Sequence, residues 1–107
     1  MSDIKQITHH IGGKVWDAKN ANLAGQDTKQ PRQGDVFNPA TGKITGKVDF
    51  ASIELLDYAI EVATKAQAQW RDTSLAKRTQ VLFAFREILN ARKEEVAALI
   101  TAEHGKV

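Results

Sequence analysis

The sequence lacks cysteine altogether and is sparing in proline and aromatic residues: its 107 residues include two prolines, two tryptophans, one tyrosine and four phenylalanines. Without cysteine, a disulfide scaffold, a thiolate metal site and a cysteine nucleophile are excluded within these residues. A membrane-spanning helix needs about 20 predominantly apolar residues, and no such run is present. There is also no positively charged start followed by a signal-peptide core, so we expect a cytosolic protein.

The distribution of charge argues against a nucleic-acid partner, although the net charge is +2. Residues 1–52 carry seven Lys or Arg against five acids, and residues 53–107 carry eight against eight. The basic residues of the second half alternate with Glu and Asp, and they form neither a one-sided basic face nor a known nucleic-acid motif. With 42% hydrophobic and 26% charged residues, the composition is that of an ordinary soluble domain.

The longest patterned segment runs from Ser52 to Gly105 and predicts helices folded back on one another around a break at residues 71–74. In its first arm, apolar residues recur at steps of three and four, which predicts one buried stripe: Leu56, Ala59, Ile60, Ala63, Ala66 and Trp70. The opposite side is predicted to face water, and on it Glu61 precedes Lys65 in the favourable i,i+4 order.

The second arm repeats the pattern with larger side chains, which form a second predicted stripe: Leu75, Leu82, Phe85, Ile88, Leu89, Val96, Leu99 and Ile100. Ser74 is suited to cap its start, and Gly105 is suited to the left-handed residue that ends a helix. Asn90 is unfavourable in a helix interior, and Glu94 and Glu95 resemble the acidic residues of a first helical turn. We therefore expect a break near residues 91–93, which gives two or three helices in all.

The first half predicts short strands and turns. Residues 9–16 suggest a hairpin, because strand-forming apolar residues flank Gly12-Gly13, a pair suited to a two-residue turn. Residues 17–34 hold almost nothing to bury and predict a long mobile loop. The fold class expected from both halves is α+β, with N-terminal strands followed by an antiparallel helical hairpin.

Residues 35–48 predict a second hairpin. Asn38 is suited to cap its turn, Pro39 fixes φ at the next position, and Gly42 is suited to a positive φ. A phosphate-binding loop is excluded, because only three residues separate Gly42 from Gly46 and a valine stands where Ser or Thr would bind magnesium.

No residue is predicted to be catalytic, cofactor-binding or metal-binding. His9 and His10 point to opposite faces of a strand and lack a third ligand at suitable spacing. His104 lies at a predicted helix C-terminus, where a histidine facing the dipole is a common structural choice, and Glu103 is suited to an ion pair. Aromatic residues at helical spacing are typical of a core rather than a ligand pocket: Trp70, Phe83 and Phe85.

Several motifs follow one another in a specific order: Ile11-Gly-Gly-Lys14, Val36-Phe-Asn-Pro-Ala-Thr-Gly42, Val48 with Ala51-Ser52, then Ala59, Ala63, Ala66 and Trp70, Lys77-Arg78, and Glu103-His-Gly-Lys106. This order resembles the amino-terminal part of the NAD-dependent aldehyde dehydrogenase superfamily over nearly the whole chain. Together with Val81-Leu-Phe83, it is most similar to the CoA-acylating branch of methylmalonate-semialdehyde dehydrogenases.

The resemblance implies a chain that forms only part of a larger enzyme. Residues 1–51 would belong to a bridging and oligomerisation region, and residues 52–107 would open an incomplete cofactor-binding domain. The family oxidises an aldehyde through a cysteine adduct, passes a hydride to NAD and resolves a thioester with water or CoA. Its cysteine, acidic base and cofactor-binding segments have no counterpart here, so only structural residues carry over. The implied partners are the remainder of the enzyme and further subunits, with no nucleic acid and no membrane.

Three hypotheses of function follow. The first is an amino-terminal part of an aldehyde dehydrogenase, inactive alone, with NAD and CoA as cofactors of the full-length enzyme. The second is an autonomous helical interaction module that binds a partner through its apolar stripe. The third is a nucleic-acid or membrane-surface adaptor, against which the neutral helical half argues. Under the first, exposed stripes predict self-association or a loosely packed monomer when the chain is alone.

Overall fold

A computed structural model describes residues 3–17 and 32–107. Five strands precede three helices. The strands are β1 (Lys5–Ile7), β2 (His9–Ile11), β3 (Lys14–Trp16), β4 (Gln33–Phe37) and β5 (Ile44–Asp49), and the helices are α1 (Ile53–Asp72), α2 (Leu75–Ala91) and α3 (Lys93–His104). The predicted α+β order, strands first and helices after, is confirmed.

The larger sheet has the strand order β1-β5-β4, with β1 parallel and β4 antiparallel to the central strand β5. The prediction of a loop over residues 17–34 is wrong at its end, because Gln33 and Gly34 pair with Asp49 and Val48 and begin β4. Strand pairing overrides the weak apolar content there, since β4 lies at the edge of the sheet and needs few buried side chains. Residues 18–31 of that predicted loop lie outside the described residues.

The turn between β4 and β5 forms as the sequence predicts. The side-chain oxygen of Asn38 accepts a hydrogen bond from the amide of Ala40 at 2.9 Å, and its backbone oxygen accepts one from the amide of Gly42 at 2.8 Å. Gly42 has the expected positive φ, at 68°. A register irregularity between Val36 and Phe37 accompanies the turn, so the hairpin closes with a bulge.

The smaller sheet is the β2–β3 hairpin, and it packs on α1. Gly12 and Gly13 form its turn with φ values of 59° and 79°, as a type I′ turn requires at both central positions. The indole ring of Trp16 contacts the ring of Tyr58, with centroids 5.0 Å apart and planes inclined by 56°. A Cβ at position 12 would lie 3.3 Å from a methyl carbon of Val62, so the turn backbone approaches α1 closely.

The face of α1 that packs inward differs from the predicted stripe. Leu55, 2% exposed, is its buried residue, and Tyr58, Ala59 and Val62 are half-buried beside it. The predicted residues Leu56, Ile60 and Trp70 are exposed. One residue along a helix corresponds to about 100° of rotation, so the buried face lies about a quarter turn from the predicted one. The hairpin decides the orientation, because its aromatic and glycine surfaces meet Tyr58 and Val62.

The helix ends follow the sequence closely. Ser52 and Ser74 cap α1 and α2, accepting hydrogen bonds from the amides of Leu55 at 3.1 Å and Lys77 at 3.3 Å. The predicted break near residues 91–93 is confirmed, because α2 ends at Ala91 and α3 begins at Lys93. Gly105 ends α3 in the left-handed conformation, with φ of 76°.

The expectation that the helical stripes cover one another is wrong. Neither α2 nor α3 contains a buried residue, and the element pairs in extensive contact within the described residues are strand pairs: β4–β5, β1–β5 and β2–β3. Helices α2 and α3 do not pack on one another because Arg92 alone separates them, whereas antiparallel helices need a connection of about two to eight residues.

The outcome is a flat, open molecule. Its radius of gyration is 17.7 Å and its principal extents are 48 × 43 × 17 Å, whereas a compact chain of this length has a radius of gyration near ~13 Å. The accessible surface is 9037 Å² for 11.8 kDa, against about 5,900 Å² expected of a compact monomer of that mass. The chain therefore leaves much of its potential core uncovered.

Candidate functional site

A concave region of the described residues lies at the junction of α1 and α2. It has a volume of about 490 Å³ and is lined by Gln69, Asp72, Thr73, Ser74 and Lys77. The hydroxyl of Ser74 is already engaged by the amide of Lys77, and Arg71 pairs with Asp72 at 3.2 Å. Ligand pockets enclose most of their ligand with largely apolar walls, and this wide, polar hollow lacks such walls.

The histidines and the acid considered from the sequence are not brought together. His9 and His10 are neighbours on β2, where they pair with Trp16 and Val15. Glu103 and His104 lie in the last turn of α3, and both are exposed. Among residues 3–17 and 32–107, no group of three or more His, Asp or Glu residues is arranged to hold a metal ion. The aromatic residues Phe83 and Phe85 are exposed on α2, so the prediction that they anchor a core is wrong within this chain.

Two ion pairs on the helices shift the pKa values of the residues that form them. Lys65 donates a hydrogen bond to Glu61 at 2.6 Å, which confirms the predicted i,i+4 pair. That hydrogen bond, and secondly the attraction between the charges, lowers the pKa of Glu61 and raises that of Lys65. Arg92 donates two hydrogen bonds to Glu95, at 2.7 and 2.5 Å, and these lower the pKa of Glu95. Both pairs are exposed and support the helices rather than any chemistry.

The most enclosed polar group is Asp49 at the end of β5, which is buried. Its carboxylate accepts a hydrogen bond from the side-chain amide of Gln33 at 2.6 Å, and the same amide nitrogen donates to Gln6 at 3.3 Å. Each of the three strands of the sheet contributes one member of this cluster. A buried carboxylate needs such donors to offset its lost hydration, so the cluster holds the sheet together.

Sequence reasoning did not identify this cluster or the pairing of Trp16 with Tyr58. Gln6, Gln33 and Asp49 are distant along the chain, and only the register of β1 and β4 on β5 places them side by side. A signal for Tyr58 was present, since Leu55, Tyr58, Ala59 and Val62 also recur at steps of three and four. The stripe beginning at Leu56 contains more members, so the sequence alone favours it over the competing pattern.

The starts of the three described helices differ from a dinucleotide-binding turn. Dinucleotides bind where a glycine-rich turn presents backbone amides at the start of a helix after a strand. The caps of α1 and α2 are occupied by the hydroxyls of Ser52 and Ser74, and α3 starts at Arg92 without a side-chain cap or a glycine. None of the described helices has the length and apolar character of a membrane span.

The described residues form an α+β layout in which short strands lead into three helices with exposed apolar side chains. Comparison with known proteins gives its class. The sequence profile of the aldehyde dehydrogenase family matches residues 26–107, and the chain belongs to the aldehyde dehydrogenase family.

Curated relatives define the position within that family more closely. Malonate-semialdehyde dehydrogenase 2 of Oceanobacillus iheyensis is 35% identical over 103 residues, which are 96% of this chain and 19% of that protein. Malonate-semialdehyde dehydrogenase of Bacillus subtilis strain 168 is 33% identical over 106 residues, which are 99% of this chain and 20% of that protein. The chain therefore spans about a fifth of the length of the curated relatives it matches.

A solved structure gives the same relationship in three dimensions. A protein of Sinorhizobium meliloti 1021, provisionally assigned as a methylmalonate-semialdehyde dehydrogenase and crystallised with NAD, is 33% identical to this chain. The two superpose with a TM-score of 0.81 over 97% of this chain and 19% of the other. The strands and helices described above thus match the amino-terminal part of an aldehyde dehydrogenase fold.

Proposed function

We propose that this chain is the opening structural part of an NAD-dependent, CoA-acylating aldehyde dehydrogenase that acts on malonate or methylmalonate semialdehyde. The observation that carries the proposal is the alignment of 96–99% of the chain with only 19–20% of proteins named malonate-semialdehyde dehydrogenase. The crystallised relative with NAD supports the same cofactor for the whole enzyme. The proposal places the enzyme in the cytosol, where proteins generally lack disulfides.

The proposed reaction consumes malonate semialdehyde, CoA and NAD⁺, and it yields acetyl-CoA, CO₂ and NADH. The methylmalonate homologue would yield propionyl-CoA. Covalent aldehyde oxidation of this kind requires a nucleophile, and the 107 residues contain no cysteine to serve as one. The role of this chain is therefore architectural: it presents helix faces to the rest of the enzyme and carries out no chemical step.

The two regions of the chain take different parts in this proposal. Residues 1–51, with the strands and the predicted loop, belong to the bridging and oligomerisation region that contacts further subunits. Residues 52–107 begin the cofactor-binding domain, whose remainder covers the exposed helix faces. The large apolar side chains left uncovered on all three helices support this division, and they include Leu56, Ile60, Leu82, Phe85 and Leu99.

Two experiments test the proposal. The purified chain, incubated with malonate semialdehyde, NAD and CoA, is expected to form no NADH above a buffer blank, and turnover would contradict the architectural role. In the second, residues 1–107 replace the aligned segment of the Bacillus subtilis relative. The chimera is expected to release a CoA thioester, while the same enzyme with the segment deleted is expected to be inactive. A chimera that folds and releases only the free acid would refute the acylating assignment.

A further inference from the structure

The end of α3 meets the turn between β4 and β5, and two of the sequence motifs thereby come into contact. A Cβ atom built on Gly105 would lie 3.1 Å from the Cγ atom and 3.6 Å from the Cβ atom of Pro39. Carbon atoms at their optimal separation are about 3.5–4.0 Å apart, so the backbone of Gly105 lies against the proline ring with no room for a side chain. The contact joins residues 36–42 to residues 103–106, which are far apart in the sequence.

The turn holds Pro39 in a fixed position by its own hydrogen bonds. The amide of Asn38 donates to the backbone oxygen of Lys43 at 2.9 Å, and the side-chain oxygen of Asn38 accepts from the amide of Ala40 at 2.9 Å. The pyrrolidine ring between these bonds locks φ at its own position. The turn therefore offers a rigid apolar ring to whatever lies against it.

The end of α3 is fixed in the same way on its side of the contact. The amide of Gly105 donates to the backbone oxygen of Thr101 at 2.9 Å, and the hydroxyl of Thr101 donates to the backbone oxygen of Lys106 at 2.6 Å. These bonds occupy groups that the end of a helix leaves without intrahelical partners. Together with the positive φ of Gly105, they set the direction in which the backbone passes Pro39.

We propose that Pro39 and Gly105 form a clasp that fixes the orientation of α3 relative to the larger sheet. The chain leaves this sheet at the end of β5, passes through three helices and returns to the β4–β5 turn at Gly105, so the contact closes the path. Under the function proposed above, the clasp joins the bridging region to the cofactor-binding domain. The contact itself lies within the described residues and does not depend on that function.

A second glycine of the contacting segments separates the clasp from ordinary backbone strain. Gly42 also has a positive φ, at 68°, but a Cβ atom there would meet no described atom within 4 Å. Asparagine is among the residues that accept a left-handed backbone most readily. Gly105→Asn and Gly42→Asn therefore both add a side chain at modest backbone cost, and only Gly105→Asn places it against Pro39.

The first test measures whether the end of α3 lies at the turn in solution. The chain has no native cysteine, so Ala40→Cys, at an exposed position beside Pro39, carries a single nitroxide label. The NMR signals of the Gly105 and Lys106 amides are expected to be strongly broadened by the label, and that of Lys93 much less. Helix α3 has 12 residues and is thus about 18 Å long, which separates its two ends. Equal effects at both ends would overturn the clasp.

The matched variants are then made in the nitroxide-labelled chain. Gly105→Asn is expected to abolish the broadening at Lys106, because its Cβ atom pushes the end of α3 off the proline ring, and Gly42→Asn is expected to keep it. Pro39→Ala removes the Cγ atom at 3.1 Å and leaves the Cβ atom at 3.6 Å, an ordinary contact. The double variant Pro39→Ala/Gly105→Asn is therefore expected to regain the broadening.

The double variant keeps the test decisive if Gly105→Asn also loses helical circular dichroism, because a general loss of structure would not be restored by a smaller residue 39. Unchanged broadening in Gly105→Asn, or no recovery in the double variant, would each overturn the proposal. A mixture of nitroxide-labelled chains with isotope-labelled chains that carry no nitroxide is expected to show no broadening at Lys106. Broadening in that mixture would show a contact between two copies and would overturn a clasp within one chain.

Discussion

The strand region with α1 and the pair α2–α3 are built from similar residues, yet they are stabilised in different ways. The first has a buried leucine, a buried carboxylate and an aromatic contact between Trp16 and Tyr58. The second has the Ser74 cap, the Gly105 terminus and the Arg92–Glu95 ion pair, but no buried residue. Local signals are thus sufficient to define a helix, whereas its stability in water depends on what its apolar side packs against.

The same difference explains the relationship to the dehydrogenases. The structure superposes over 97% of the chain on a solved relative about five times its length, with a TM-score of 0.81, so the uncovered helices already have family geometry. In the proposed enzyme, the rest of the polypeptide covers their exposed side chains. Variants that affect one region and spare the other test this contrast.

The largest difference is expected from one substitution made in both regions. Leu55 is 2% exposed and Leu82 is 63% exposed. Leu55→Ala is expected to lower the free energy of unfolding by about 2–5 kcal/mol, because it removes buried methyl groups and leaves a cavity. Leu82→Ala is expected to cost about 0.5 kcal/mol or less. Urea unfolding followed by Trp16 fluorescence, in a Trp70→Phe background, measures both, and equal losses would contradict the contrast.

The next effect concerns the buried carboxylate. Asp49→Ala leaves the side-chain amide of Gln33 without its 2.6 Å acceptor and is expected to destabilise the sheet by about 1–3 kcal/mol. Asp49→Asn keeps an acceptor oxygen of the same shape and is expected to cost less. Thermal unfolding of the two variants compares their losses of stability. Equal losses for alanine and asparagine would contradict a stabilising role for the hydrogen bond to Asp49.

A smaller effect compares two glycines of one turn. Gly12 and Gly13 both have positive φ, so alanine at either is expected to cost about 1 kcal/mol or more for backbone strain. A Cβ at Gly12 would also lie 3.3 Å from Val62, whereas one at Gly13 would meet nothing within 4 Å. Gly12→Ala is therefore expected to be the more destabilising in thermal unfolding. Identical losses would show that the hairpin does not pack on α1.

The smallest effect is the pH dependence of the Glu61–Lys65 pair. Hydrogen bonding to Lys65 lowers the pKa of Glu61 below its ordinary 4.5, so the folded chain binds this proton less readily than the unfolded chain. The stability from the pair is present above pH 4.5 and lost as the pH falls through the lowered value. Glu61→Gln is expected to abolish this part of the acid dependence, as seen in the difference between wild-type and variant helicity at 222 nm.

Features set by neighbouring residues could be predicted from the sequence. The Gly12-Gly13 turn, the Asn38 turn, the Ser74 cap, the Gly105 terminus and the break near Arg92 all depend on backbone preferences and short-range hydrogen bonds, and all are confirmed. The family resemblance is also confirmed by the match of the aldehyde dehydrogenase profile to residues 26–107. It could be predicted because it depends on the order of such local motifs.

Features set by distant packing could not be predicted. The predicted buried side of α1 lies about a quarter turn from the observed one, because two apolar stripes compete and only the docked hairpin selects between them. The start of β4 is not predictable from its composition, because pairing with β5 makes Gln33 and Gly34 part of a strand. The prediction that none of these residues is catalytic, cofactor-binding or metal-binding stays a prediction, which rests on the absence of cysteine from the sequence.

Native-state hydrogen exchange tests the central claim, the difference in support between the two regions, most directly. At low protein concentration, the central amides of β5 and the first turns of α1 after its cap are expected to be strongly protected, while those of α2 and α3 exchange much faster. Protection of α2 equal to that of β5 at the lowest concentration would contradict the account.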